Sequence, residues 1–263
     1  MFFWGFVVQI LCIIVPCSAT FRFFITLKVT SSNKILVIEF NERSRRAILI
    51  LWHLPVLKII LYPFKLLTVA LHEFSHAAAG CCTGAKIESI QLDPDEGGAT
   101  RMRGGMSCCT LPAGYLGSSL IGAIFIFCGF DDTDNRIVLK VASIVLGIIL
   151  IALLYWAKNW LLRGLTIFFV GVIVLLWFID KGAGLKYFVL FVGVMSCLYS
   201  LWDIMDDLVF RKVNESDASK FAKECKCCPS QIWGIIWLII SFLFLGIGVL
   251  AGLVVFKQHN GQT

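Results

Sequence analysis

The segment VALHEFSHAAAGCC, residues 69–82, places two histidines and a glutamate among small and apolar side chains. On an α-helix each residue advances by about 100°, so His72 and His76 project from one face about one turn apart. Two imidazoles in this arrangement can share one Zn²⁺ ion. Glu73 is offset in angle beside them and can reach a water on the metal as a general base. The spacing therefore indicates a zinc site that activates water for hydrolysis.

The competing interpretation of this segment is a polar cluster at an interface between two helices. The HExxH pattern fixes only three positions and arises by chance in many unrelated proteins. The chain, however, has four histidines, and two of them have the required spacing within an apolar stretch, whereas His53 and His259 stand apart from it. The small residues AAAG that follow allow a second helix to approach closely. This context favours the metal site.

A third zinc ligand is required, because a catalytic zinc ion usually has three protein ligands and a water. The stretch YSLWDIMDDLV closes an apolar run and carries Asp203, Asp206 and Asp207 broadly on one side of a predicted helix. Asp203 lies deepest, and an intramembrane carboxylate indicates function by default, so we expect Asp203 to be the ligand. Asp206 and Asp207 suit a solvated helix end. Asp93 and Asp95, close in sequence to the histidines, are the alternative pair.

The composition predicts how these residues are held in space. Hydrophobic residues make up 59% of the 263 residues, and the mean hydropathy is +0.87, which exceeds what a water-soluble domain carries. Five apolar runs have about the length a helix needs to cross ~30 Å of hydrocarbon. They are residues 111–130, 137–157, 160–179, 185–202 and 232–256. The net charge of +6 is typical of a membrane protein with basic flanks and does not indicate a nucleic-acid partner.

The expected fold class is an all-α polytopic membrane protein with about six to seven transmembrane helices, integral to the bilayer. A short β-hairpin is predicted after the HExxH helix, from Lys86 to Met106, because short strand-like segments flank a Pro-Asp-Glu-Gly-Gly turn. The stretch from Ala47 to Gly80 contains Pro55 and Pro63 and is compatible with one kinked helix or with two.

The expected domain organisation has three parts. Residues 1–46 form a hydrophobic N-terminal segment, either a signal anchor or a cleaved signal peptide, and a polar linker. Residues 47–257 form the membrane-embedded domain, and residues 258–263 form a polar tail.

Several blocks carry a family resemblance, in the order HEFSHAAAG, ESIQLDPDEGGATRMRGG, LPAGYLGSSLIGA, LWDIMDD and VNESDASKFA. From about His53 to Phe256 the chain resembles the M50B-like branch of the site-2 protease family, the intramembrane zinc metalloproteases. The resemblance implies that His72 and His76 bind zinc and that Glu73 is the catalytic acid/base. It also implies cleavage of a membrane-protein or peptide substrate within or near the bilayer.

The chain departs from the family at the third ligand. Site-2 proteases usually draw it from an Asp-Gly motif on a later core helix, and this sequence contains no Asp-Gly pair. Asp203 therefore corresponds to the third ligand of the family only by its position on a later membrane helix. The function expected is that of a zinc metalloendopeptidase, and the alternative is a non-catalytic scaffold or transporter-like protein that retains the protease fold. A transporter would carry charged residues along several helices, whereas here they concentrate in two places.

Overall fold

The structure, a computed structural model, describes residues 55–94, 97–131, 136–179, 183–210 and 216–259. The predicted N-terminal segment, His53 and Asp95 lie outside the described residues. The described part contains seven helices and one two-stranded sheet. In chain order they are α1 Pro55–Cys82, β1 Lys86–Asp93, β2 Gly97–Arg103, α2 Ser107–Gly129, α3 Ile137–Trp156, α4 Trp160–Phe178, α5 Ala183–Phe210, α6 Asp217–Cys225 and α7 Ser230–His259.

Five of these helices are long and apolar enough to cross a membrane: α2, α3, α4, α5 and α7. They coincide with the five apolar runs of the sequence, which confirms the all-α polytopic class and an integral, multi-pass membrane protein. Their outward faces carry large apolar side chains, such as Ile148 and Ile151 of α3, each 60% exposed. Such faces are suited to lipid.

Helix α1 is surrounded by protein instead of presenting an apolar face outward. Leu66, Leu67, Ala70 and Leu71 are all at most 4% exposed and belong to the largest hydrophobic cluster. The helix runs without interruption through Pro63. Of the two forms compatible with the sequence, a single helix is therefore present over the described residues.

Helix α2 is the centre of the bundle and packs against α1, α5 and α7 through small residues. A Cβ added at Gly117 would lie 2.7 Å from Ser75 Cβ of α1, and one added at Gly193 of α5 would lie 2.8 Å from the Gly122 carbonyl oxygen. Hydroxyl groups then bond between the helices, as between Ser118 Oγ and Ser200 Oγ at 2.7 Å. Close backbone approach and interhelical hydrogen bonds are the forces that associate helices in lipid.

The predicted hairpin is present, with β1 and β2 antiparallel and Asp93 opposite Gly97. Its outer β1 edge is covered by the short connection between α3 and α4. There the Lys158 amide donates to the Ile90 carbonyl at 3.0 Å, and the Asn159 side chain bonds the backbone of Leu92. The hairpin is thereby anchored to the bundle, while β2 runs beside α1.

Candidate metal centre

His72 and His76 face one another across a single turn of α1, as their spacing predicted. Their Nε2 atoms are 3.0 Å apart, and the two residues are 7% and 8% exposed. His76 Nδ1 lies 2.7 Å from the carbonyl oxygen of Thr110 at the start of α2. Because a carbonyl only accepts, Nδ1 carries the hydrogen, so Nε2 is the nitrogen whose lone pair a neutral His76 would offer to a metal.

The third group at this point is the carboxylate of Asp217. Its Oδ2 atom lies 3.2 Å from His72 Nε2 and 3.0 Å from His76 Nε2. Ligands bonded at about 2.0–2.1 Å to one tetrahedral zinc ion are separated by about 3.3 Å. The triangle of two imidazole nitrogens and one carboxylate oxygen therefore has nearly the dimensions that a single zinc ion requires.

Asp217 is delivered to the site by α6, a helix of nine residues. The Ser216 side chain caps its first turn by accepting from the amide of Ser219 at 3.2 Å. Phe221 anchors the helix, because its ring packs 4.7 Å from Trp233 and 5.4 Å from Trp237. The apolar face of α6 thus packs onto the bundle, and its first residue is placed against the histidines.

The charge state of Asp217 follows from its surroundings. Burial alone raises the pKa of this carboxyl, but the charges and hydrogen bonds of the His76 and His72 imidazoles outweigh burial and hold the pKa well below its usual range. This lowering requires positive charge on the imidazole side of the carboxylate, and a divalent cation held by the three groups would attract the carboxylate in the same way.

Glu73 lies in the same cluster, since its carboxylate and the ligand atoms of His72 and His76 are all within 4.8 Å of one another. The Thr100 hydroxyl of β2 lies 2.7 Å from Glu73 Oε2 and donates to it. A Cβ added at Gly98, also in β2, would lie 2.5 Å from Glu73 Cγ and 2.6 Å from Oε1. The hairpin therefore buries the glutamate beside the histidines, and only glycine at position 98 leaves room for it.

The backbone of α2 at Gly114 closes one side of the site. A Cβ added there would lie 2.4 Å from His76 Nε2 and 2.5 Å from His72 Nε2. The next residue, Tyr115, places its ring 4.9 Å from that of His72 and donates its hydroxyl to Asp207. The backbone of α2 therefore packs directly against the Nε2 atoms of both histidines.

The structure thus brings together His72, Glu73 and His76, and the carboxylate in contact with both imidazoles is Asp217. The predicted ligand Asp203 lies in α5 with Asp206 and Asp207, and these three residues are half-buried. Among the alternatives, Asp93 is exposed at the end of β1.

The sequence did not predict the contact of Asp217 with the imidazoles, although two local signals indicate the short helix that carries this residue. The serine before it is a typical N-cap. The segment DASKFAKEC alternates polar and apolar residues as a short amphipathic helix does.

A multi-pass helical bundle that buries a His-Glu-His cluster within it has the features of an intramembrane metalloprotease. The model of the Peptidase M50B-like family matches residues 46–248, and the chain belongs to this family. Comparison with curated proteins and with solved structures finds no significant match. Membership of this family supports the function of a membrane protease, which is a hydrolase. The site also holds a cluster that could bind a metal ion.

Proposed function

We propose that the protein is a zinc-dependent endopeptidase that cleaves membrane-protein or peptide substrates at the bilayer. His72, His76 and Asp217 are the zinc ligands, and Glu73 is the general acid/base. The observation that supports this most directly is the buried triangle of Nε2, Nε2 and Oδ2 atoms with sides of 3.0–3.2 Å. Two nitrogens and one carboxylate oxygen are a donor set found in catalytic zinc sites.

Asp217 replaces Asp203 as the third ligand in this proposal because of its contacts with the imidazoles. An ionised carboxylate and the lone pair of a neutral imidazole repel one another at 3.0 Å unless a cation or a proton lies between them. One divalent cation satisfies all three donor atoms at once, and the site is too buried for bulk water to do so.

Glu73 is suited to move a proton at one of its two oxygens. The Thr100 hydroxyl is bonded to Oε2, so Oε1 remains to accept a proton from water and later to pass it to the leaving amine. A zinc ion, when bound, lowers the pKa of a coordinated water towards ~7 and polarises the substrate carbonyl. Burial of Glu73 under β2 keeps bulk water from competing for that proton.

The hairpin is the element suited to present the substrate. A peptide must be extended to be cut, because a helix hides its carbonyl groups, and strand addition to a sheet edge holds a peptide in that form. The β1 edge is already paired with Lys158 and Asn159. Strand β2 is therefore the strand for addition, and its residues Gly98 and Thr100 lie beside Glu73.

The ligand set is tested by metal analysis of purified full-length protein in detergent. Wild type should hold one zinc per chain, and the His72→Ala/His76→Ala double variant should hold none. Asp217→Asn should lose zinc, whereas the same substitution at the other candidate, Asp203→Asn, should retain it. Retention by Asp217→Asn with loss by Asp203→Asn would refute Asp217 as the ligand.

Catalysis is tested with Glu73→Gln on a fluorogenic transmembrane peptide. This variant should keep its zinc and lose hydrolysis by at least about 100-fold, the usual contribution of a general base. A protein that binds zinc yet gives equal turnover in wild type and Glu73→Gln does not use Glu73 as a base. If wild type neither binds zinc nor hydrolyses any peptide, the scaffold or transporter-like alternative is favoured.

A further inference from the structure

A cavity of about 390 Å³ that is open on one side lies between the hairpin and the connection from α3 to α4. It is lined by Glu88, Ser89 and Arg101 of the hairpin and by residues 155–158 and 163. None of these residues belongs to the metal centre. The cavity is therefore separate from the metal centre described above.

Among the described residues that line the cavity, cations outnumber carboxylates by three to one. The lining contains the cations of Arg101, Lys158 and Arg163, and its one acid, Glu88, forms a salt bridge with Arg103 instead. The Arg163 guanidinium donates to the neutral Ala157 carbonyl at 3.2 and 3.1 Å. Within the part of the chain that the structure describes, neither Arg101 nor Lys158 has an ion pair. Several cations that line one cavity are the chemistry of an anion site.

The position of the cavity identifies the class of anion. It lies where two membrane-spanning helices end, and Tyr155 and Trp160, at those ends, are 84% and 83% exposed. Exposed aromatic residues at helix ends mark the level of the lipid headgroups. The Arg163 guanidinium stacks on the Trp160 ring at 5.3 Å, which holds a cation at this level. Lipid phosphates lie at the same depth.

We propose that this cavity binds the phosphate of an anionic phospholipid, with Arg101, Lys158 and Arg163 as donors. The exposed apolar face of α3, including Ile148 and Ile151, continues from the cavity and is suited to the acyl chains. A phosphate held between Arg101 and Lys158 joins strand β2 to the α3–α4 connection. The lipid thus adds a second attachment for the hairpin beside the backbone bonds of β1.

The test uses full-length protein in detergent micelles with equal amounts of phosphatidylglycerol and phosphatidylcholine, read by native mass spectrometry. Wild type should retain one phosphatidylglycerol per chain in preference to phosphatidylcholine. A cation near the membrane surface contributes about fivefold in affinity, so Arg101→Gln/Lys158→Gln should weaken retention about 25-fold, and each single variant about fivefold. These side chains are exposed, so their replacement is not expected to disturb folding.

The matched control is Lys86→Gln/Lys220→Gln, which removes two positive charges from exposed residues outside the cavity. It should change retention less than twofold. Equal loss in both double variants, or no loss in Arg101→Gln/Lys158→Gln, would mean that only general surface charge attracts the lipid, and it would overturn the proposal. Displacement of the lipid by millimolar inorganic phosphate would also overturn it, in favour of a soluble phosphate ligand.

Discussion

Replacing Gly114 by alanine should destroy the metal site without dismantling the membrane domain. The added Cβ would lie 2.4 Å from His76 Nε2 and 2.5 Å from His72 Nε2, whereas non-bonded heavy atoms are comfortable at about 3.5 Å. Either the imidazoles or α2 must therefore move by about 1 Å. Zinc ligand distances tolerate only about 0.2 Å. Disturbing an outer partner of a ligand already costs 10–100-fold in affinity, so we expect at least about a 100-fold loss, roughly 2.7 kcal/mol.

The assay is a competition titration of zinc against a chelator, with thermal unfolding of the metal-free protein measured in parallel. Gly147→Ala is the matched control, because the same substitution in α3 meets nothing within 4 Å. It should leave zinc affinity unchanged and raise the free energy of unfolding by about 0.5–1 kcal/mol through helix propensity. If Gly114→Ala binds zinc within about threefold of wild type, the proposed geometry of the site is wrong.

Three further results are expected. Gly98→Ala places a Cβ 2.6 Å from Glu73 Oε1 and should lower hydrolysis at least tenfold, while the zinc content stays at one per chain. Loss of zinc would instead mean that the hairpin also positions the zinc ligands. Mild oxidation should form a disulfide between Cys108 and Cys225, whose sulfur atoms are 3.8 Å apart, and mass spectrometry should detect it as the loss of two hydrogens. Equal cross-linking among the other cysteines would contradict the packing of α6 on α2. Bound zinc should be released on acidification, because a protonated imidazole cannot bind a metal ion. Release that is independent of pH would argue against histidine ligands.

The features that the sequence predicted correctly depend on short stretches of chain. His72 and His76 meet because the helical period places residues four apart on one face, and this holds wherever the helix lies. The hairpin follows from turn residues between two short strands. The five spans follow from length and hydropathy. Each of these results needs no knowledge of how distant elements pack.

Asp217 could not be reached in that way, because its contact with His72 joins residues 145 positions apart. It depends on Phe221 docking α6 between Trp233 and Trp237, which no local pattern reveals. The sequence favoured Asp203 as the ligand, because a carboxylate within an apolar run usually indicates function. A carboxylate on a polar helix fits a solvated surface equally well in sequence terms, and only tertiary packing distinguishes the two settings.

The order of the groups along the chain has a consequence during synthesis. The carboxylate that faces the two imidazoles is residue 217, so a ribosome has made α1 to α5 before that oxygen exists. Under the proposed ligand set, a nascent chain that ends with α5 holds the histidine pair and the glutamate but has only two of the three donors. In the proposed site, the third donor is therefore added only when α6 is translated, after α1 to α5.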